Sequence, residues 1–436
     1  MVLLQGREHK PILIPANESV ERVKVCFREN DEKVCFALTG EGETRYLQTG
    51  YYIGADWLRS GELAVRIQPK QNEPALSINH MGMLFACLKH PEVSSFVGDL
   101  YQIDFNAPFI ALPRKDDLLT PLLVAHFAHL LQQVVRQGLK KGYNPVDREL
   151  RGKVKGKIDV AQTLRQGQFR QRPLVTACSY EEFSTDIPEN RLLKQALRFA
   201  RRYLNNYPSY ARDLEPLLGY CEPAFSNVSD TEATHQTVAP AYNPLYRAYN
   251  DALRVGWLLL KRFGYSLVHV DAGQETTVKV PPHWIDMAKL FELYVLGLLY
   301  ERFGSQRVLY GAEQARGHYG LPDFLLTGEE PWIIDAKYKP TYQSGWYEID
   351  DIRQISGYAR DKQVLTRLGI KSPTEQESTV VRCLIIYPDR VGAQSLAEVD
   401  GQATNAIPEI EEMSTFAIPG FMRFYKLAIT LPHAAS

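Results

Sequence analysis

The pattern of hydrophobic and polar positions divides the chain into three regions. In the first region, residues 1–110, short apolar segments alternate loosely with polar positions, and polar or glycine-containing turns separate them. This alternation is typical of half-buried strands. It predicts four strands, over residues 23–27, 33–38, 44–53 and 62–70. We therefore expect a β-rich N-terminal domain, in the form of a small barrel or a curved sheet.

The second region, residues 111–283, has the spacing of amphipathic helices, with apolar residues recurring three and four positions apart. The pattern predicts helices over residues 118–139, 189–204 and 242–263. His126 and His129 lie three positions apart on the first helix, a spacing compatible with metal ligation. Two histidines are only half of a zinc site, and the same spacing describes one packed helix face, which is the favoured interpretation. We expect a mainly helical middle region.

The third region, residues 284–436, changes to an α/β pattern in the order helix, three strands, helix, strand. The predicted elements are a helix over 284–303, a strand over 307–310, the strands that hold Asp323 and Asp335, a helix over 350–360 and a strand over 379–387. Residues 366–378 and 393–410 are polar and are predicted to be loops. The sequence thus predicts an α/β protein, α+β overall, whose C-terminal domain has a mixed central sheet.

The segment that carries the clearest chemistry is residues 321–339, which reads LPDFLLTGEEPWIIDAKYK. Two strands joined by the tight Gly-Glu-Glu-Pro turn would bring Asp323 and Asp335 side by side at one end of a sheet. Because strand side chains alternate between faces, Asp335 and Lys337 share a face and Ala336 points away. Two carboxylates and a lysine that converge in this way are a candidate site for Mg²⁺ and an attacking water.

Mg²⁺ prefers oxygen ligands and keeps several waters, so one or two carboxylates and a substrate phosphate suffice to bind it. Asp323 and Asp335 would hold Mg²⁺, which Mn²⁺ can replace, and the Ala336 carbonyl is a further candidate ligand. Lys337 would ease the formation of hydroxide or stabilise charge on the phosphorane. Glu292, on the preceding helix, is a candidate outer or second-metal ligand.

Two further candidates follow on the next helix, where Gln354 and Tyr358 lie four positions apart on one face. They could orient the substrate or Lys337. A bare Asp-x-Lys usually marks a surface strand end, and a surface ion pair of Asp335 with Lys337 is the alternative interpretation. Pro-Asp, eleven intervening residues, Asp-x-Lys and then Gln-x-x-x-Tyr is a much rarer combination. Glu292 beside Lys289 also has an alternative, that of a solvated charge.

Composition places the chain among soluble globular proteins, with 45% hydrophobic and 23% charged residues among its 436. No apolar run reaches the roughly 18 residues needed to cross a bilayer, and the first residues lack the pattern of a secretory signal. The six cysteines are scattered without a CxxC pair, so they match neither a disulfide framework nor a zinc site. We expect a cytoplasmic protein without a membrane partner.

Charge is unevenly distributed, although the net charge is only −1. Between Arg136 and Arg172 there are eleven Lys and Arg residues against three acidic ones, and the segment 151–159 reads as a strand with lysines on alternate positions. Such a patch can attract phosphate backbones or an acidic partner surface. An ordinary solvated surface is the alternative interpretation.

At Asp323, Asp335 and Lys337 the chain resembles the PD-(D/E)xK nuclease superfamily. Its wider pattern resembles the McrC family, the nuclease subunits of McrBC modification-dependent restriction systems. Besides the site residues, the resemblance includes the following segments: Ile67 to Lys70, Arg151 to Asp159, Asp186 with Asn190 and Arg191, and Phe291 with Glu292. It covers most of residues 60–360.

The resemblance implies a Mg²⁺-dependent type IV restriction-type endonuclease that cuts double-stranded foreign DNA containing methylcytosine. It also implies a partner, a McrB-like AAA+ GTPase ring that drives cleavage and whose hydrolysis this chain stimulates. Residues 1–110 would form a partner-docking domain, with the middle region also contacting the ring. McrC-like proteins do not hydrolyse nucleotide, and no GxxxxGK[ST] phosphate loop occurs here, so we expect no nucleotide cofactor of the chain's own.

Two alternative functions remain open at this point. The chain could be a stand-alone PD-(D/E)xK nuclease that acts on branched or damaged DNA, with the preceding residues as a DNA-binding extension. It could instead be a non-cleaving adaptor or activator of a motor NTPase. The intact set of Asp323, Asp335 and Lys337 argues against the adaptor, because a decayed site would have lost one of them.

Overall fold

A computed structural model describes residues 1–40, 44–69, 79–113, 117–169, 174–205, 208–230, 247–262, 277–339, 347–389, 406–414 and 417–432. The chain forms two compact units. Unit 1 comprises Met1–Leu122 together with Thr276–Ser436, and unit 2 comprises Leu123–Glu275. Among the described residues, no helix combines the length and apolar character needed to cross a membrane.

The first part of unit 1 is rich in strands, as the alternating pattern predicts. Its elements are β1 (Val2–Arg7), β2 (Ile12–Ile14), β3 (Lys24–Cys26), β4 (Val34–Thr39), β5 (Arg45–Thr49), β6 (Tyr52–Arg59), β7 (Leu63–Gln68), α1 (His80–Leu88), α2 (Ser94–Val97), β8 (Tyr101–Ile103) and β9 (Ile110–Pro113). The single strand predicted over 44–53 is two strands in the structure, β5 and β6.

Unit 2 is mainly helical, with one small sheet. The chain enters it along α3 (Leu119–Gln137) and continues through β10 (Gly142–Arg151), β11 (Lys157–Ile158), α4 (Val160–Phe169), β12 (Val175–Ser184), α5 (Pro188–Asn205), α6 (Pro208–Cys221) and α7 (Arg247–Arg262). Strands β10 and β11 both pair antiparallel with β12. The three predicted helices are confirmed as α3, α5 and α7, although residues 242–246 and 263 of the last prediction lie outside the described residues.

The two histidines of α3 occupy an interior face rather than a metal site. His126 is buried, and burial lowers the pKa of His129 to about 4. Burial disfavours the charged form of an imidazole, and the pKa of His129 shifts in that direction. The packed-face interpretation is therefore the one that the structure supports.

The second part of unit 1 holds the candidate chemistry. Its elements are β13 (Thr277–Val280), β14 (His283–Asp286), α8 (Met287–Phe303), β15 (Val308–Tyr310), α9 (Ala312–Ala315), β16 (Phe324–Leu326), β17 (Trp332–Ala336), α10 (Ile349–Tyr358), α11 (Lys362–Arg367), α12 (Pro373–Ser378), β18 (Arg382–Asp389), α13 (Ile410–Met413) and β19 (Phe424–Thr430).

Several of these elements differ from the prediction. The helix expected from residue 284 begins at Met287, because residues 283–286 form β14. The loop expected over 366–378 contains α12, and β19 was not predicted at all. Most of the predicted 393–410 loop lies outside the described residues.

The central sheet of this part has the strand order β15-β16-β17-β18-β19. Strands β15, β16 and β17 pair antiparallel, whereas β17, β18 and β19 pair parallel. The mixed sheet is thus confirmed. Its inner strands are buried on both faces, with Leu325 and Ile333 on one side and Phe324 and Ile334 on the other. Burial on both faces explains why these strands read as continuous apolar runs.

The N-terminal strands form two sheets instead of one barrel or curved sheet. One has the order β1-β7-β6-β14-β8 and the other β2-β5-β4-β3, and β9 pairs separately with β13. The Trp284 indole donates a hydrogen bond to the buried Asp56 carboxylate over 3.1 Å, which ties β14 to β6. The predicted boundary at residue 283/284 therefore falls inside a strand. Residues 1–122 and 276–436 share one unit because β14 completes the N-terminal sheet.

Candidate functional site

The two predicted aspartates meet at one end of the antiparallel pair β16 and β17. Phe324 lies opposite Ile334 in this ladder, so Asp323 and Asp335 occupy the next opposed positions. One oxygen of Asp323 accepts a hydrogen bond from the Ala336 backbone N–H over 2.8 Å. The predicted side-by-side arrangement at the end of the sheet is confirmed.

Lys337 lies at the centre of the cluster. Its Nζ atom is 2.6 Å from an Asp335 carboxylate oxygen and donates a hydrogen bond to Gln354 Oε1 over 3.0 Å. Burial alone would lower the pKa of this ammonium, but the carboxylates of Asp335 and Asp323 outweigh it and raise the pKa above its ordinary value. These carboxylates therefore favour the charged form of Lys337.

The surroundings of the two aspartates, in contrast to those of Lys337, disfavour the charged form. Burial raises the pKa of Asp323 well above its ordinary value, and the Asp335 and Glu292 carboxylates add to the shift. Burial also raises the pKa of Asp335, although the Lys337 ammonium opposes this. Carboxyl groups that share a poorly solvated site are hard to ionise together. A bound cation would therefore stabilise the charged form of both aspartates.

Gln354 and Tyr358 link α10 to the lysine. Gln354 accepts from Lys337 through its carbonyl oxygen and donates through its amide nitrogen to the Tyr358 hydroxyl over 3.0 Å. Both α10 residues thus belong to one hydrogen-bonded chain that ends on the Lys337 ammonium. These contacts support the predicted orientation of Lys337, and the predicted orientation of the substrate stays a prediction.

Glu292 approaches the same cluster from α8. Its carboxylate is close enough to raise the pKa of both aspartates. However, Glu292 Oε1 also lies 2.9 Å from Lys289 Nζ, which in turn donates to the Tyr310 hydroxyl over 2.6 Å. The structure therefore brings Glu292 to the site while pairing it with the neighbouring lysine, and its role as a ligand stays a prediction.

Two residues of the cluster were not identified from the sequence. Asp351, buried in the first turn of α10, lies 3.7 Å from Lys337 Nζ and 3.2 Å from Lys339 Nζ. Lys339 also pairs with Glu348. The available signals were local: Lys339 repeats the strand period after Lys337, and Asp351 precedes Gln354 by one helical turn.

A cavity of about 430 Å³ lies beside the cluster within unit 1. Glu292 and Lys289 form part of its wall, together with Arg28, Lys33 and Tyr51 from the N-terminal strands and turns. The wall also contains Asp99 and Asp286, which pair with Arg28 and Lys33, so its acidic and basic groups balance. The N-terminal sheets thus contribute surface directly next to the candidate catalytic residues.

The donor set fits a magnesium ion of the kind that binds with its substrate. Within the described ranges, no group of three or more His, Cys, Asp or Glu side chains is arranged to hold a metal ion. Mg²⁺ commonly binds through one or two carboxylates, waters and substrate phosphate. Asp323 and Asp335 supply this minimal set, and the raised pKa values of both give a cation a favourable place.

Comparison with known proteins identifies the family. A family model described as "McrBC 5-methylcytosine restriction system component" matches residues 47–366. The match spans more than half of the chain, and the chain belongs to this family. The resemblance to McrC proteins seen in the sequence is thereby confirmed.

Two solved structures are similar to the chain at low identity. The first is the "Refined half-complex from tetradecameric assembly of Thermococcus gammatolerans McrB AAA+ hexamers with bound McrC", with 15% identity, 98% of this chain and 94% of that chain covered, and a TM-score of 0.40. The second is the "Cryo-EM structure of the Thermococcus gammatolerans McrBC complex", with 15% identity, 68% and 87% covered, and a TM-score of 0.31. No curated protein matches the chain significantly.

Proposed function

We propose that the chain is the Mg²⁺-dependent DNA endonuclease component of a two-part restriction system in the cytoplasm. The observation that carries the proposal is the cluster at the end of β16 and β17. There, a charged lysine lies 2.6 Å from one aspartate, and the two aspartates occupy opposed strand positions. Membership of the McrBC component family supports a restriction role for this chemistry.

In this proposal Asp323 and Asp335 hold Mg²⁺, which Mn²⁺ can replace. When bound, the ion supplies Lewis-acid chemistry to the phosphate and makes water a better nucleophile. The two carboxylates would hold the ion beside the reacting phosphate, and Asp335 also lies 2.6 Å from Lys337 Nζ. Glu292 remains a candidate second ligand, which would have to exchange its pairing with Lys289 for the ion.

Lys337 acts as a cation in this mechanism and not as a proton acceptor. The neighbouring carboxylates raise the pKa of Lys337 above its ordinary value, which favours the ammonium form. A fixed ammonium beside the scissile phosphate stabilises the negative charge that builds on the phosphoryl oxygens. Gln354 holds that ammonium in place, and Tyr358 holds Gln354. Both α10 residues therefore contribute through the orientation of Lys337.

The partner in this proposal is a McrB-like AAA+ GTPase, and the substrate is double-stranded DNA that contains methylcytosine. Support comes from the family, whose description names one component of a 5-methylcytosine restriction system. The sequence contains no phosphate loop of its own, so hydrolysis is assigned to another chain. Stimulation of that hydrolysis by this chain belongs to the same proposal.

Unit 2 offers a candidate contact surface for the partner or for DNA. Every residue from Arg151 to Asp159 is exposed, and the Lys155 ammonium lies 4.0 Å from the centre of the Tyr180 ring. Tyr143 and Phe183 are also largely exposed on the same sheet, with ring centroids 5.1 Å apart. Exposed aromatic rings beside cations are frequent in interfaces.

The decisive experiment is cleavage of methylated and unmethylated plasmid DNA with Mg²⁺, with and without the partner and GTP. Asp335→Ala and Lys337→Ala should abolish cleavage while partner binding and GTPase stimulation persist. Arg353→Ala is the matched control, since this exposed residue of α10 pairs only with the exposed Asp350 among the described contacts.

Each outcome distinguishes the proposal from its alternatives. Cleavage that needs the partner, GTP and intact Asp335 supports the restriction component. Cleavage without partner or nucleotide would indicate a stand-alone nuclease. Stimulated GTP turnover without any cleavage would indicate an adaptor. Cleavage by Asp335→Ala or Lys337→Ala at the wild-type rate would remove these residues from the mechanism.

A further inference from the structure

Between the two lysines of the site lies a tyrosine that points into the protein. Tyr338 is only 3% exposed, and its hydroxyl donates a hydrogen bond to Glu8 Oε1 over 3.2 Å. Glu8 directly follows β1 and is fully buried. A residue near the start of the chain thus meets the candidate catalytic strand across 330 positions of sequence.

The backbone turns at this tyrosine. Lys337 N–H donates to the Ile386 carbonyl over 2.8 Å, and Lys339 N–H then donates back to the Lys337 carbonyl over 2.7 Å. A hydrogen bond between residues two apart closes a three-residue γ-turn, here centred on Tyr338. The direction in which Tyr338 is held therefore fixes the directions of the lysines on either side.

Both lysines point toward one carboxylate. Lys337 Nζ and Lys339 Nζ lie 3.7 Å and 3.2 Å from oxygens of Asp351. A rotation of the γ-turn would move both ammonium groups relative to Asp335 and Asp351 together. The Tyr338 ring also packs against Phe291, with ring centroids 5.8 Å apart, and Phe291 precedes Glu292 on α8. Tyr338 thus lies between the two lysines in sequence and also contacts the helix that carries Glu292.

A buried carboxyl group requires polar partners, since burial without them costs several kcal/mol. The hydrogen bond from Tyr338 supplies such a partner to Glu8 Oε1 and engages the tyrosine hydroxyl as well. A surface-exposed pair can exchange its hydrogen bond for one with water, whereas a buried pair has no such replacement and keeps one geometry. The hydrogen bond is therefore suited to hold the γ-turn in one orientation.

We infer that Glu8 is a positioning residue of the nuclease site and acts through the hydroxyl of Tyr338. It sets the placement of Lys337 and Lys339 relative to Asp335 and Asp351. This inference rests on the proposed nuclease function. It also gives the N-terminal segment, for which the family resemblance implies partner docking, a part in the site itself.

The test uses the full chain with the partner, GTP and methylated DNA, under single-turnover conditions with saturating DNA and Mg²⁺. Tyr338→Phe and Glu8→Ala should each lower the cleavage rate about tenfold or more, as expected for a hydrogen bond to an acidic group that matters in the transition state. The concentration of DNA for half-maximal rate should stay unchanged. Glu8→Gln keeps an acceptor and should recover part of the rate that Glu8→Ala loses.

Two further variants separate positioning from general destabilisation. The double variant Glu8→Ala/Tyr338→Phe should be no slower than the slower single variant, because both changes remove one contact. Tyr294→Phe is the matched control, since Tyr294 is a buried tyrosine of the same unit whose hydroxyl lies 3.4 Å from the Thr430 carbonyl. Its rate should stay within about twofold of wild type. Thermal unfolding of each variant establishes that the measured chains are folded.

The outcomes are distinguishable. If wild type cleaves and Tyr338→Phe cleaves as fast as Tyr294→Phe, the inference is overturned and the proposed function stands. Equal losses in Tyr338→Phe and Tyr294→Phe also overturn it, because they indicate general destabilisation. If the wild-type chain binds partner and DNA without cutting, the proposed function fails, and this inference fails with it.

Discussion

The link between α10 and the candidate catalytic lysine gives the sharpest prediction. Gln354→Ala removes the acceptor that lies 3.0 Å from Lys337 Nζ and leaves the Tyr358 hydroxyl without its amide donor. A hydrogen bond to a charged group contributes about 1.5–3 kcal/mol. Since each 1.4 kcal/mol is about a factor of ten in rate, complete loss of this contribution would slow cleavage by roughly 10–100-fold.

The structure favours the lower end of that range. After the substitution Lys337 would still lie 2.6 Å from Asp335 and 3.7 Å from Asp351, so its charge would persist and only its direction would loosen. We therefore expect a rate loss of about tenfold. Tyr358→Phe, which leaves the bond between Gln354 and Lys337 intact, should cause a smaller loss.

Single-turnover cleavage of methylated DNA at saturating Mg²⁺ measures this effect without a contribution from product release. The control is Arg353→Ala, on the exposed face of the same helix, with 72% of its side chain accessible. Its rate should match wild type. Equal rates for Gln354→Ala and Arg353→Ala would refute the reasoning, since they would show that the amide does not hold Lys337 for the reaction.

Three further predictions concern stability and binding. The raised pKa of Asp323 means that the folded, metal-free protein binds a proton at this carboxyl more tightly than the unfolded chain does. Protonation of Asp323 therefore stabilises the fold at acidic pH, and this stabilisation is lost as pH rises through the folded-state pKa. Asp323→Asn should therefore raise the thermal midpoint in EDTA at neutral pH more than at acidic pH; a gain independent of pH would contradict this. Asp56→Ala leaves the buried Trp284 indole without its acceptor, and should destabilise the protein by at least about 1–3 kcal/mol in urea unfolding, whereas an unchanged midpoint would show that the contact contributes nothing. Lys153→Gln/Lys155→Gln should weaken binding of DNA or of the partner, and a loss of about two units in the salt dependence of DNA binding would identify phosphate contacts; unchanged binding of both ligands would leave this exposed segment as ordinary surface.

The parts of the site that could be predicted are those with a local signal. Strands β16 and β17 are buried on both faces and read as continuous apolar runs, and their period of two places Asp335 and Lys337 on one face. The helical spacing of Gln354 and Tyr358 similarly predicted a shared face. These patterns extend over fewer than twenty residues each, so tertiary packing had little opportunity to override them.

The parts that could not be predicted depend on distant contacts. β14 has four residues and runs directly into α8, so its apolar positions continue the helical pattern; only pairing with β6 and β8 makes it a strand. No local pattern connects Glu8 to Tyr338 across 330 positions. For the same reason the sequence suggested separate domains for residues 1–110 and 284–436, which share unit 1 in the structure.

The pairing of β9 with β13 has a consequence for how this chain can vary. Thr277 lies opposite Pro113 in an antiparallel ladder, and opposed residues of such a ladder have Cα atoms only about 5 Å apart. In topological terms, unit 2 is therefore the loop of a β-hairpin that belongs to unit 1. Each doubling of the length of a flexible loop costs only about 0.6 kcal/mol in closure free energy. Changes in length between β9 and β13 are therefore expected to leave the pairing of the strands that carry the aspartates intact.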